Sequence, residues 1–127
     1  MTDQDKLQII EAEVCNYLRI DASKLHTRNR KREVCEARFA VFSFGREFTR
    51  MSLGAMGREY NKDHASVLHG CRTIDNLIRF NGWGKKSEEL RIRITERING
   101  PVPIDYEAWM RAMGMMITDY ETEGRRG

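Results

Sequence analysis

A chain of 127 residues with 40% hydrophobic positions is long enough to bury a core without covalent or metal staples, and it predicts one soluble domain. No apolar run approaches the roughly 20 residues of a membrane span and no signal-peptide pattern opens the chain, so a cytoplasmic protein is expected. Cys15, Cys35 and Cys71 are odd in number and widely spaced, which argues for reduced thiols. With no C-x-x-C pair and no histidines at i, i+4 spacing, neither a metal nor another cofactor is expected.

The net charge of +3 conceals a division along the chain. Residues 1–21 hold two basic and five acidic groups, residues 22–86 fourteen and six, and residues 87–127 six and eight. Positive charge therefore concentrates in the middle segment, the footprint of a phosphate-binding face.

In chain order, Leu7, Ile10, Val14, Tyr17 and Leu18 share one face of a predicted helix from about Asp3 to Leu18. Asp21 to Leu25 forms a short capped turn. The sequence HTRNRKRE then brings Arg28, Arg30, Lys31 and Arg32 into a loop and the start of a long helix. Cations at a helix N-terminus oppose its macrodipole, a local cost that suggests a polyanionic partner; Glu33 and Glu36 offset part of it. That helix is predicted over about Arg32 to Thr49, burying Val34, Ala37, Val41, Phe42, Phe44 and Phe48, with Arg38 and Arg46 two turns apart and able to share a face.

Residues Ser52 to Phe80 read as a helix-turn-helix. Ser52 caps a short helix whose Leu53, Met56 and Tyr60 repeat at helical spacing; Asn61 and Lys62 make the turn, and Asp63 caps the next helix. Val67, Leu68, Cys71, Ile74, Leu77 and Ile78 supply the buried face of that second helix, while His64, Ala65, Ser66 and His69 open the other side. A small, polar first turn beside basic residues suits a helix end that enters a DNA major groove. NGWGKK then breaks the helix, Ser87 is predicted to cap a further helix to about Ile98, and NGPVP stops it. From Asp105, a last amphipathic segment carries Trp109, Met113, Met116, Ile117 and Tyr120 on one stripe.

The stretch KDHASVLHGCRTIDNL closely resembles the signature of the C-terminal DNA-binding domain of the bacterial replication initiator DnaA. The likeness extends upstream through RNRKREVCEARFAVFSFGREFTRMSL and covers about residues 7 to 80. It implies an all-α, Trp-repressor-like helix-turn-helix domain over residues 1–84 with a C-terminal helical extension over residues 85–127. It also implies sequence-specific binding of double-stranded DNA, in replication initiation or its regulation.

Carried onto this chain, the resemblance makes Arg30 the minor-groove arginine of the basic loop and Arg38 a second base-reading position. Lys62, Asp63, His64, Ala65 and Ser66 take the recognition-turn positions. Arg46 and His69 fall where the family contacts phosphate, and Leu53 and Gly54 where main-chain N–H groups at a helix start do so.

Three departures bear on sequence preference. Ala65 then Ser66 stand where two hydroxyl residues are usual, no glycine precedes Lys62 in the turn, and Phe39 occupies a position often polar. No G-x-x-x-x-G-K-[ST] phosphate loop occurs, so a domain without the initiator's ATPase module is expected, with no nucleotide and no catalysis. The rival reading is a helical adaptor whose Met/Trp-rich C-terminal stripe holds a protein partner or a second copy.

Overall fold

Thr2 starts the first helix. Its Oγ1 accepts from the Asp5 N–H at 3.1 Å while the Asp5 carboxylate accepts from the Thr2 N–H at 3.1 Å, so two donors that the helix end leaves unpaired are satisfied reciprocally. The structure, a computed structural model, describes residues 1–100. The amphipathic segment expected from Asp105 to Tyr120 lies outside the described residues.

The described residues contain helices and no strand. Helix α1 spans Asp3–Leu18, a 3-10 turn spans Ala22–His26, and α2 (Arg32–Phe48), α3 (Leu53–Glu59), α4 (His64–Phe80) and α5 (Gly84–Asn99) follow. The chain divides into two compact units, Met1–Asn76 and a second that begins at Leu77, so the division falls inside α4.

In the first unit α2 is the central element, touching α1, the 3-10 turn and α3. Its apolar stripe supplies Val34, Ala37, Ala40, Val41, Phe42 and Phe44, all buried, against Leu7, Ile10 and Val14 of α1 and Leu25 of the 3-10 turn in one core. Large side chains buried as fully as Phe42, Ile10 and Leu25 each contribute about 1.5–3 kcal/mol through removal from water. Phe48 is only half-buried, because the last turn of α2 runs out toward the chain that leaves it.

Cys15 and Cys71 are buried and Cys35 half-buried, and all three thiols are free. Burial, with the Glu11 and Asp21 carboxylates, pushes the Cys15 thiol up to about 11, which keeps it protonated and inert.

In the second unit, Gly82 at φ 82° turns the chain after α4, and the Asn81 and Trp83 N–H groups both close onto the Leu77 carbonyl, at 3.0 and 3.2 Å. Here the expected boundary is corrected: α5 begins at Gly84, not after a Ser87 cap. Trp83 enters with helical dihedrals and its carbonyl already accepts from the Ser87 N–H at 2.8 Å, so Ser87 is a buried residue of the first turn. Lys86 lies over the Trp83 ring, 5.2 Å from its centroid.

Candidate nucleic-acid interface

The helix-turn-helix is built on a close approach of backbone to backbone. Ser52 Oγ accepts from the Ala55 N–H at 3.0 Å and starts α3. Five residues on from Ser52, the Gly57 carbonyl takes the N–H groups of Tyr60 at 2.9 Å and Lys62 at 2.8 Å, which folds the turn back over its own helix. A Cβ at Gly57 would run into the Lys62 carbonyl oxygen, so only glycine lets the turn lie this close. Asn61 adopts φ 56°, a left-handed conformation that asparagine tolerates better than most residues.

Asp63 then opens α4. Its Oδ1 accepts from the Ser66 N–H at 2.8 Å, and hydrogen bonding from Ser66 holds the carboxyl below its ordinary 3.8. Behind this turn Val67, Cys71, Ile74 and Leu77 are buried, while Leu68 and Ile78 are half-buried at the edges of the stripe. On the outside, His64, Ala65 and His69 are exposed; Ser66 and Lys62 are half-buried. Leu53 and Gly54 sit in the first turn of α3, where N–H groups have no partner within the helix.

Two neighbouring residues of α2 reach the two ends of this apparatus. Phe39 stands against the recognition helix, its ring 5.7 Å from that of His69, and a Cβ at Gly70 would come within 2.6 Å of it. Arg38 points the other way, into the segment after the 3-10 turn. It is 3% exposed, with Nε donating to the Leu25 carbonyl at 3.0 Å and Nη2 to the carbonyls of Thr27 at 3.1 Å and Asn29 at 3.3 Å. The Arg38 guanidinium is thus bonded to the protein's own main chain, whereas Arg46 is exposed.

The basic segment that Arg38 holds leaves Arg28, Arg30, Lys31 and Arg32 exposed. Lys31 precedes α2 without a side-chain cap, so the helix start remains a cluster of cations eased in part by Glu33 in the first turn and the Arg32–Glu36 pair at 3.7 Å. His26 ties the base of the segment down: its ring stacks on Tyr60 at 4.6 Å, Nδ1 donates to the Glu59 carbonyl at 3.0 Å and Nε2 meets the Glu11 carboxylate at 2.6 Å.

Arg46 is exposed on α2, at an open cleft lined with Ser43, Glu47, Cys71 and Asp75. Burial lifts the Cys71 thiol above its ordinary value, and the neighbouring Arg46 guanidinium offsets part of this.

Residues 7–74 match the family model of the bacterial dnaA protein helix-turn-helix. The chain belongs to that family. The DnaA helix-turn-helix is a DNA-binding fold, and the matched residues run from α1 through most of α4. Similar curated proteins are chromosomal replication initiator proteins DnaA. That of Flavobacterium psychrophilum is 36% identical over 63% of this chain and 17% of its own length. For Bacteroides thetaiotaomicron the figures are 42%, 48% and 13%, and for Caldanaerobacter subterraneus subsp. tengcongensis 32%, 73% and 21%. The chain thus spans about a fifth or less of the length of these DnaA relatives.

Within this DnaA-type domain, sequence reasoning missed His26 and the part played by Gly57 and Gly70. Gly70 carried a usable signal, a glycine beside the apolar stripe of Val67, Cys71 and Ile74, where a neighbouring side chain needs room. His26 carried none, since its partners lie 15 and 33 residues away.

Proposed function

We propose that this domain binds double-stranded DNA with sequence preference, in a manner resembling DnaA-box recognition, and serves replication initiation or its regulation. The observation that carries this reading is the first turn of α4: small and polar, projected outward at His64 and Ala65 beside Lys62 while its back face is locked into the core. A helix end so presented fits a major groove, with His64, Ala65 and Ser66 toward base edges and Asp63 holding the turn in register. Arg30, exposed on the basic segment, suits the narrow, negative minor groove. Arg46 and His69, with the N–H groups of Leu53 and Gly54, suit phosphates.

Fluorescence anisotropy with random and box-containing duplexes at increasing salt tests the reading. Log affinity should fall linearly with log salt, by about 0.9 for each phosphate neutralised, and the box should bind tighter than random sequence. Arg46→Ala should weaken both duplexes alike and flatten the salt slope by about one. A folded protein that binds neither duplex at low salt would overturn the proposal.

A further inference from the structure

We infer that Arg38 is a positioning residue: its buried guanidinium anchors residues 25–29 so that Arg30 is presented ready-made to the minor groove. The inference rests on the DNA-binding reading above and reassigns one of its residues.

Three carbonyls converge on one side chain. Leu25, Thr27 and Asn29 alternate along the chain, and the planar fork of an arginine spans such a row from Nε to Nη2. Side-chain bonds fix the same stretch locally. Thr27 Oγ1 donates to the Lys24 carbonyl at 2.7 Å and accepts from the Asn29 N–H at 3.2 Å, while Asn29 Oδ1 accepts from the Lys31 N–H at 2.9 Å. Arg30 consequently sits between two held points, the Asn29 carbonyl on Arg38 and the Lys31 N–H on Asn29. Its own side chain stays exposed.

Direct reading by Arg38 is unfavourable on the same observations. To reach DNA, a guanidinium 3% exposed would have to leave its carbonyl partners, and groups left buried without partners are costly. Anchoring works in the other direction. A loop held in its bound shape before DNA arrives loses little conformational entropy on binding, so the contact made by Arg30 is stronger for the same geometry. The next residue of α2, Phe39, packs against His69 of α4, so one turn of α2 braces both the arm and the recognition helix.

A double-mutant cycle with Arg30→Ala and Arg38→Met, on preferred and random duplexes and well below each variant's unfolding temperature, tests this. Each single change should weaken binding to the preferred duplex about tenfold and to random duplex much less; the double variant should match Arg30→Ala within about twofold, because Arg38 acts through Arg30. Losses that multiply would mean that Arg38 touches DNA itself, and an unaltered affinity for Arg38→Met would mean that the arm needs no anchor; either overturns the inference.

If Arg38→Met does not fold, Arg38→Lys, which keeps the charge but cannot span the row of three carbonyls, replaces it in the same cycle with the same criteria. Amide relaxation of the free wild-type protein gives a reading that needs neither variant nor DNA. Order parameters for residues 27–30 should approach the roughly 0.85 of helical backbone, and values below about 0.6 would overturn the anchoring. A wild-type protein with a rigid arm that binds no duplex would instead sink the DNA-binding reading and leave the anchor standing.

Discussion

Phe39 stands edge to face with His69, ring centroids 5.7 Å apart and planes at 89°, and reaches across the only kind of residue that leaves room for it, Gly70. His69 is exposed, and this ring pair ties it to α2. An edge-to-face pair is worth about 0.5–1.5 kcal/mol beyond its buried area. Phe39 is apolar where the resemblance expects a polar residue, and the physical consequence is an exposed histidine steadied by an aromatic ring.

Phe39→Leu keeps apolar cover over Gly70 and removes the ring pair. Stability should fall by about 1 kcal/mol, and affinity for all duplexes should fall by about two- to fivefold, since His69 must then be ordered at the moment of binding. Urea unfolding and anisotropy on the same preparation measure both. A loss of stability with affinity unchanged would show that the pair only packs.

Gly57→Ala sets two effects against each other. Alanine gains about 1 kcal/mol of helix propensity over glycine, but overpacking costs about 1–3 kcal/mol. The obstacle decides the sign, because a Cβ at Gly57 meets the Lys62 carbonyl oxygen and a main-chain group cannot swing aside as a side-chain end can. Opening the turn also strains the Lys62 N–H bond to the Gly57 carbonyl. A net loss of about 1–2 kcal/mol, roughly 5–10 °C in thermal midpoint, is expected. A midpoint equal to wild type would mean that the turn is looser than described.

Most of the helical frame was legible because its determinants are local. The stripe of Leu7, Ile10 and Val14 predicts α1 with its observed ends, and Ser52 and Asp63 mark the starts of α3 and α4 because a capping oxygen acts within its own turn. The burial of Arg38 was not legible, for the opposite reason. Nothing adjacent to an arginine announces that carbonyls 9 to 13 residues earlier will fold over it, and the default for a lone arginine is solvent. Ser87 misled by being a good cap in composition alone; Trp83 starts the helix with no side-chain oxygen at all. The local geometry of the turn between α3 and α4 was readable, whereas the surroundings of Arg38, Phe39 and His26 depend on which elements pack together.

The Asp63 cap should be visible in the acid limb of the stability curve. Hydrogen bonding from Ser66 depresses the folded carboxyl below 3.8, so the stabilisation is fully present above that value and is lost as pH falls through the folded one. Asp5 and Asp21 are depressed by bonds from Thr2 and Ser23, but they are common to wild type and Asp63→Ala and cancel in the difference. The gap in thermal midpoint between the two proteins should therefore be open at neutral pH and close as pH falls below 3.8. A gap that persists undiminished in strong acid would show that the ionised carboxylate is not what caps α4.

The recognition turn offers the most direct test of which residues enter the groove. Ala65 is exposed in the first turn of α4, where it presents a methyl group that can meet a thymine methyl but cannot hydrogen-bond. Threonine at this position keeps a methyl and adds a hydroxyl, giving the pair of hydroxyl residues that the resemblance leads one to expect here. At an exposed helix start, β-branching costs only about a few tenths of a kcal/mol, so stability should barely change. If the turn docks as proposed, Ala65→Thr should shift base preference at one or two adjacent positions toward the family's A/T-rich box. Selection of bound duplexes from a random pool, run beside thermal unfolding for both proteins, separates the outcomes. A turn that serves the fold alone predicts an unaltered selected sequence, and that result, in a variant that still binds DNA specifically, would mean that other residues than Ala65 and its neighbours read the bases.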